Sequence, residues 1–166
     1  MRATLTFAAL ALSLAGCSAI PPKPQAEATT AIEPHPAVQN AQRVARLMPG
    51  LLQTTETMEQ SRIKIPQEIC SSELALSGAL TLRLAETAKL HNAAPSSPAH
   101  EQLKSELAKR VNQLDGVYHV MSRKCGEIYQ LFNAPLGLDL STAATSNQLS
   151  LVARYRNGTQ QVKLQP

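Results

Sequence analysis

The chain has 166 residues with 16 Lys+Arg against 12 Asp+Glu, a formal net charge of +4. That length suits one domain and a tether, and so small a charge, with no long basic run, gives no footprint for nucleic acid. There is no Trp and aromatics make up 3% of the chain, so the core must come from Leu, Val, Ile and Ala, which suits helices packed on helices and argues against a sugar site built on aromatic platforms.

The first residues read as a secretion leader. One cation, Arg2, precedes an apolar run from Leu5 to Leu14. At about ten residues the run is too short to cross a bilayer as a helix, which needs ~20, and a basic start with small residues at the exit marks a cleaved signal. The exit, Leu14-Ala15-Gly16-Cys17, resembles the lipobox of bacterial lipoproteins at all four positions. The resemblance implies a signal peptide over residues 1–16, diacylglyceryl transfer to the Cys17 sulfur, cleavage before Cys17 and acylation (palmitate or a similar chain) of the new amino terminus. Two or more acyl chains hold a protein on a membrane where one does not. Ser18 is not the aspartate that commonly retains such proteins in the inner membrane, so the resemblance points to the outer membrane, facing the periplasm.

Residues 17–37 include Pro21, Pro22, Pro24, Pro34 and Pro36 among small and polar residues. No period survives there, and the stretch reads as an extended tether. Residues 38–133 read as a helical domain. In the first helix, over 38–60, Val38, Ala41, Val44, Ala45, Met48 and Leu52 recur at spacings of three and four. Pro49-Gly50 predicts a kink or a division into two short helices. Ile63 and Ile65 belong to a connector, and Pro66 suits the first position of the next helix.

That second helix spans 67–91, and its Leu and Ala positions cover a broad arc, as in a helix packed on more than one side. Gly78, costly in mid-helix, predicts the close approach of a neighbouring helix. A turn at 92–98 follows, with Ser97 as cap and Pro98 as first helical residue. The third helix is expected over 98–132, where Leu103, Leu107, Val111, Leu114, Tyr118, Met121, Cys125, Ile128 and Phe132 step by three and four in a heptad-like seam. Glu106 with Arg110 and Arg123 with Glu127 are spaced for surface pairs.

Cys70 and Cys125 remain once Cys17 is lipidated, and two cysteines in an oxidising compartment read as one disulfide. It would close a loop of about 55 residues, worth roughly 4 kcal/mol in the chain-entropy account. On an antiparallel hairpin turning near residue 95, both cysteines fall within a turn or two of the same height, so the bond would staple the hairpin's open end.

Residues 134–166 change character. The segment 138–147 shows no period. Leu149, Leu151, Ala153 and Tyr155 then alternate, Asn157-Gly158 follows, and Val162 and Leu164 alternate again, which predicts a β-hairpin. A lone hairpin is marginal, so it either docks on the helices or offers its edge, marked by Leu149, Leu151, Tyr155 and Val162, to a partner strand.

Chemistry-bearing patterns are scarce. There is no Gly-rich phosphate loop, no G-x-S-x-G and no H-E-x-x-H. His35, His91, His100 and His119 are scattered, and His91 and His100 flank a turn without the further ligands a metal needs. No catalytic residue, metal site or cofactor is assigned. The fold class read from the sequence is all-α: a three-helix, mostly antiparallel bundle with a stapled hairpin and a small C-terminal β-hairpin. In architecture alone this is similar to the pilotins of secretion systems; no motif residue carries a pilotin site onto this chain. The leading reading is a lipid-anchored accessory of an envelope machine for secretion, conjugation or pilus assembly, with an envelope protein as partner. The alternative is a stand-alone lipoprotein that binds a small ligand or acts as an exclusion or immunity factor.

Overall fold

A computed structural model describes residues 34–94 and 96–164. The leader, Cys17 and the proline-rich stretch as far as residue 33 lie outside the described residues. The chain order is α1 (Pro36–Gln60), α2 (Gln67–Ala93), α3 (Pro98–Lys124), α4 (Gly126–Leu131), β1 (Gly137–Thr142), β2 (Leu149–Tyr155) and β3 (Gly158–Gln161). The domain is mostly helical, with three long helices, but it is not all-α: it carries a three-stranded sheet.

Helix α1 starts inside the stretch read as tether. Pro36 needs no N–H partner at the first position, and the His35 ring accepts from the Ala37 N–H at 3.2 Å as the cap. The helix runs through Pro49 as one element of 25 residues rather than two. Pro49 removes a helical hydrogen bond at a cost of about 3 kcal/mol, and the flanking Met48 and Leu51 are fully buried, which holds the helix together across it. The buried stripe is Ala37, Asn40, Val44, Met48, Leu51, Thr55 and Met58. It is rotated by about one position from the expected face, leaving Val38, Ala41, Ala45 and Leu52 only half-buried at its margin.

Helices α2 and α3 run antiparallel. Cys70 meets Cys125, Ser77 meets Met121, Thr81 meets Tyr118 and His91 meets His100, so each step forward on α2 is a step back on α3. The turn between them is capped as expected: Ser97 Oγ accepts from the His100 N–H at 3.2 Å. Helix α1 lies against both, and its end is tied to the end of α3 by Arg123 on Glu59 at 2.6 Å and by Lys124 on the Ser61 carbonyl at 3.0 Å. Arg123 thus joins two helices instead of pairing with Glu127, whereas the Glu106–Arg110 pair forms at 3.3 Å.

The seam of α3 is core from Leu103 to Met121, but the helix does not reach residue 132. Gly126 adopts φ +47°, a left-handed conformation that breaks the run after Cys125. The short α4 then leads Phe132 out of the seam to 45% exposure.

Strand β1 lies in the segment that showed no period. Only Leu138 and Leu140 alternate there, too few positions to show a strand, and the strand is held by its pairing: it runs antiparallel to β2 with Leu138 opposite Ala153 and Leu140 opposite Leu151. Strand β3 pairs with the other side of β2, Ala153 opposite Gln160. The tight loop is Arg156-Asn157, and Gly158, at φ +129°, is the first residue of β3 rather than the second of the turn. Leu138, Leu149, Leu151 and Ala153 turn one sheet face onto α2 and α3 and join their core. Two polar devices fix the docking. Asn92 imitates a strand, donating to the Leu149 carbonyl and accepting from the Leu149 N–H, both at 2.8 Å. Asp115 accepts from the Leu138 N–H at 2.8 Å and from Arg154 at 2.9 Å. Gly137 leaves room for that pair, because a Cβ there would fall 2.6 Å from the Asp115 carboxylate and against the Arg154 guanidinium, so that one of them would have to move.

Candidate functional site

The cysteines divide as the sequence implied for two of the three. Cys70 and Cys125 are bonded, Cα atoms 5.6 Å apart, at the far end of the α2–α3 hairpin; Cys17 lies outside the described residues.

Of the four hairpin residues read as an edge, three lie on the central strand, while Val162 continues the edge strand β3, its N–H donating to the Leu151 carbonyl at 2.8 Å. Leu149 and Leu151 are on the central strand, β2, and are buried. Tyr155 and Val162 are half-buried beside α2. Docking and edge exposure, posed as alternatives, coexist: one face of the sheet is buried while β3, exposed along its length, has no strand neighbour on its outer side among the described residues.

Next to that edge lies an open face of α2. Leu74, Ala75, Gly78, Ala79 and Leu82 form its floor, and Phe132, Tyr155 and Val162 stand around it in a cleft of ≈ 300 Å³. Gly78 brings no neighbouring helix close, since a Cβ added there would meet no atom within 4 Å. Leu82 is 48% exposed. The breadth of the apolar arc on α2 is therefore only partly used by α1, α3 and the sheet. A second cleft of ≈ 360 Å³ adjoins it through Val162 and extends along α2 to Asn92, so the groove follows α2 for ~27 Å at 1.5 Å per residue. At the opposite end, Tyr155, Asn133 and Ala134 are shared with a cleft containing Arg156. Sequence periodicity marked Leu82 and Phe132 as apolar, but it could not show that the turn at Gly126 would leave them uncovered together.

A separate apolar cleft of ≈ 300 Å³ opens between α1 and α3, walled by Val38, Ala41, Ala45, Ala99 and Leu103 above Leu84. Small side chains at the margin of the α1 stripe leave this space.

Tyr118, buried and hydrogen-bonded to Thr81 at 2.9 Å, has its hydroxyl pushed up to about 12 by burial. Burial also raises Tyr129, whose hydroxyl donates to the Pro135 carbonyl and ties the end of α4 to the approach to β1. Burial raises the Glu73 carboxyl as well, and its Oε2 has no hydrogen-bond partner among the described residues. His91 and His100 stack with centroids 3.5 Å apart, and His91 is lowered by burial first and by the facing His100 second. Among the described residues no three His, Cys, Asp or Glu side chains come together to hold a metal, and no helix is long and apolar enough to cross a membrane.

Comparison of the chain with family models, with curated proteins and with solved structures finds no match.

Proposed function

We propose that the chain is a lipid-anchored envelope protein, held at the outer membrane through Cys17, whose helical domain docks on a protein partner within a secretion, conjugation or pilus machine and helps to place or stabilise it. The observation that carries this reading is the open apolar face of α2 beside an unpaired strand edge. Contiguous exposed apolar surface on a soluble domain is costly to keep unless something covers it. The stapled hairpin supplies the rigid support that an interface needs. The lipobox residues and the mostly antiparallel bundle support the same reading by their likeness to lipid-anchored accessory proteins.

The test is extraction of membranes in gentle detergent followed by gradient sedimentation. The wild-type chain is expected in a large assembly, and Leu82→Glu, which puts a charge on the exposed face, is expected at the weight of the free protein. Recovery of the wild type as a free monomer would refute the reading. Loss of membrane association in Cys17→Ala tests the anchor separately.

A second reading is favoured by the α1–α3 cleft. Its apolar walls and size fit a small apolar ligand, as the stand-alone alternative requires. Native mass spectrometry of the purified chain should then show a retained small molecule that is lost in Ala45→Phe.

A further inference from the structure

Strand β3 has a definite polarity of exposure. The Val162 N–H donates to the Leu151 carbonyl at 2.8 Å. Because N–H and C=O groups alternate sides along a strand, the main chain of Thr159 and Gln161 points away from β2, toward solvent. Val162 lies opposite Leu151 on the helix-facing side of the sheet, and it forms one wall of the groove on α2. A strand added to β3, at ~4.8 Å, would lie beside this wall, and every second side chain would face the apolar floor around Gly78 and Leu82.

The charges around the edge are of one sign. Arg156 precedes β3, Lys163 follows it, and Lys89 lies with Lys163 in the adjoining cleft. None of the three has an ion-pair partner among the described residues; the pairs run Arg83–Glu86, Arg110–Glu106, Arg123–Glu59 and Arg154–Asp115. Asp115 and Asp139 are with β1, on the far side of β2.

This pattern rejects a second copy of the chain as the occupant. Antiparallel pairing of β3 with itself through these outward groups, Thr159 opposite Gln161, sets Arg156 of one copy one residue from the position that faces Lys163 of the other at each end, and crowded like charges disfavour a strand pair. Acidic ends on a foreign strand would meet the cations instead.

We propose that β3 and the neighbouring face of α2 take an extended segment of a partner protein by strand addition, the segment having apolar residues at alternate positions and Asp or Glu at both ends. Main-chain bonds to Thr159 and Gln161 give the hold, the α2 groove selects the apolar side chains, and Arg156 with Lys163 selects the acidic ends. This deepens the reading of the chain as a docking protein and rests on it.

The probe is a synthetic peptide of alternating Val and Thr with Glu at both ends, and a twin with Lys at both ends, added to the purified full chain and followed by amide hydrogen exchange. The Glu-ended peptide should slow exchange at Thr159 and Gln161 at least ten-fold at saturation, and the twin should bind at least ten-fold more weakly. Gln161→Pro deletes one outward N–H at an edge position that tolerates proline; it should abolish protection at Thr159 while the melting temperature stays near that of the wild type. Absence of protection at millimolar peptide, equal affinity for the twins, or protection confined to the α1–α3 cleft overturns the proposal, and so does dimerisation through β3. Sedimentation of Gln161→Pro distinguishes the two readings. If that variant stays in the large assembly while Leu82→Glu leaves it, docking stands and strand addition fails.

Discussion

Reducing the Cys70–Cys125 bond should be the largest single loss of stability available in this domain without altering its side-chain packing. The bond spans a sequence separation of 55 residues. In the chain-entropy model a loop of that length costs the unfolded state about 14 cal/mol/K, or roughly 4 kcal/mol at room temperature. The described domain, of about 130 residues, unfolds with an entropy near 0.27 kcal/mol/K. The loss therefore corresponds to a fall in melting temperature of roughly 15 °C. Both cysteines are buried, so the protein should be unfolded in reductant and refolded with it still present. Circular dichroism then gives the melts of the oxidised and reduced wild type, both retaining the two sulfurs in the core. Cys70→Ala/Cys125→Ala should fall at least as far, because it also loses buried volume. A reduced protein that melts within about 3 °C of the oxidised one would refute the reasoning. The staple would then be redundant with the contacts of Ser77 and Thr81 further along the hairpin.

Asn92→Ala removes both hydrogen bonds to Leu149 and should cost about 1–2 kcal/mol, seen as faster amide exchange in β2 with little change in α1. Gly137→Ala should separate Arg154 from Asp115 and release β1, so that exchange at Leu138 rises selectively; unchanged protection there would mean the backbone yields instead. Acidification should destabilise the domain through His91. Its folded-state affinity for a proton is below the ordinary value of 6.5, so the unfolded chain protonates first; stability is complete above that value and is lost as pH falls from it toward the lower folded value. The groups facing His91 are His100, Asn92 and Glu101. His91→Gln should flatten the melting temperature between pH 7.5 and 5, and a slope equal to that of the wild type would exclude the stacked pair as the cause.

Long periods were the legible part of this chain. The α3 seam and the caps at Ser97 and Pro98 follow from residue types at fixed spacings, and the pairing of Cys70 with Cys125 from setting Cys17 aside by its lipobox resemblance. What escaped was decided by single backbone positions or by distant partners. Gly126 ends α3 because it turns left-handed, although the apolar steps run on past it to Ile128 and Phe132. Strand β1 exists because β2, Asn92 and Asp115 organise it, and Gly-Leu-Asp-Leu-Ser-Thr alone carries too short an alternation to show. The stripe of α1 shifted because Asn40 and Thr55, polar by composition, are buried, Thr55 bonding back to the Leu51 carbonyl at 2.7 Å. The candidate surface was half legible. A helix two apolar over most of its circumference was evident, but which arc stays bare depends on where the sheet comes to rest.

The order in which the sheet joins the molecule sets a sequence of events. Each strand pairs with its neighbour in the chain, β1 with β2 and β2 with β3, and the platform beneath them is complete by α4. A chain made amino end first therefore holds both stapling cysteines and all four helices before residue 158 is added. The strand edge is thus the last element of the fold to be made, after everything that supports it. The surface with most capacity for stray pairing is exposed for the shortest part of the protein's birth, and an incoming strand finds a rigid floor already beneath it.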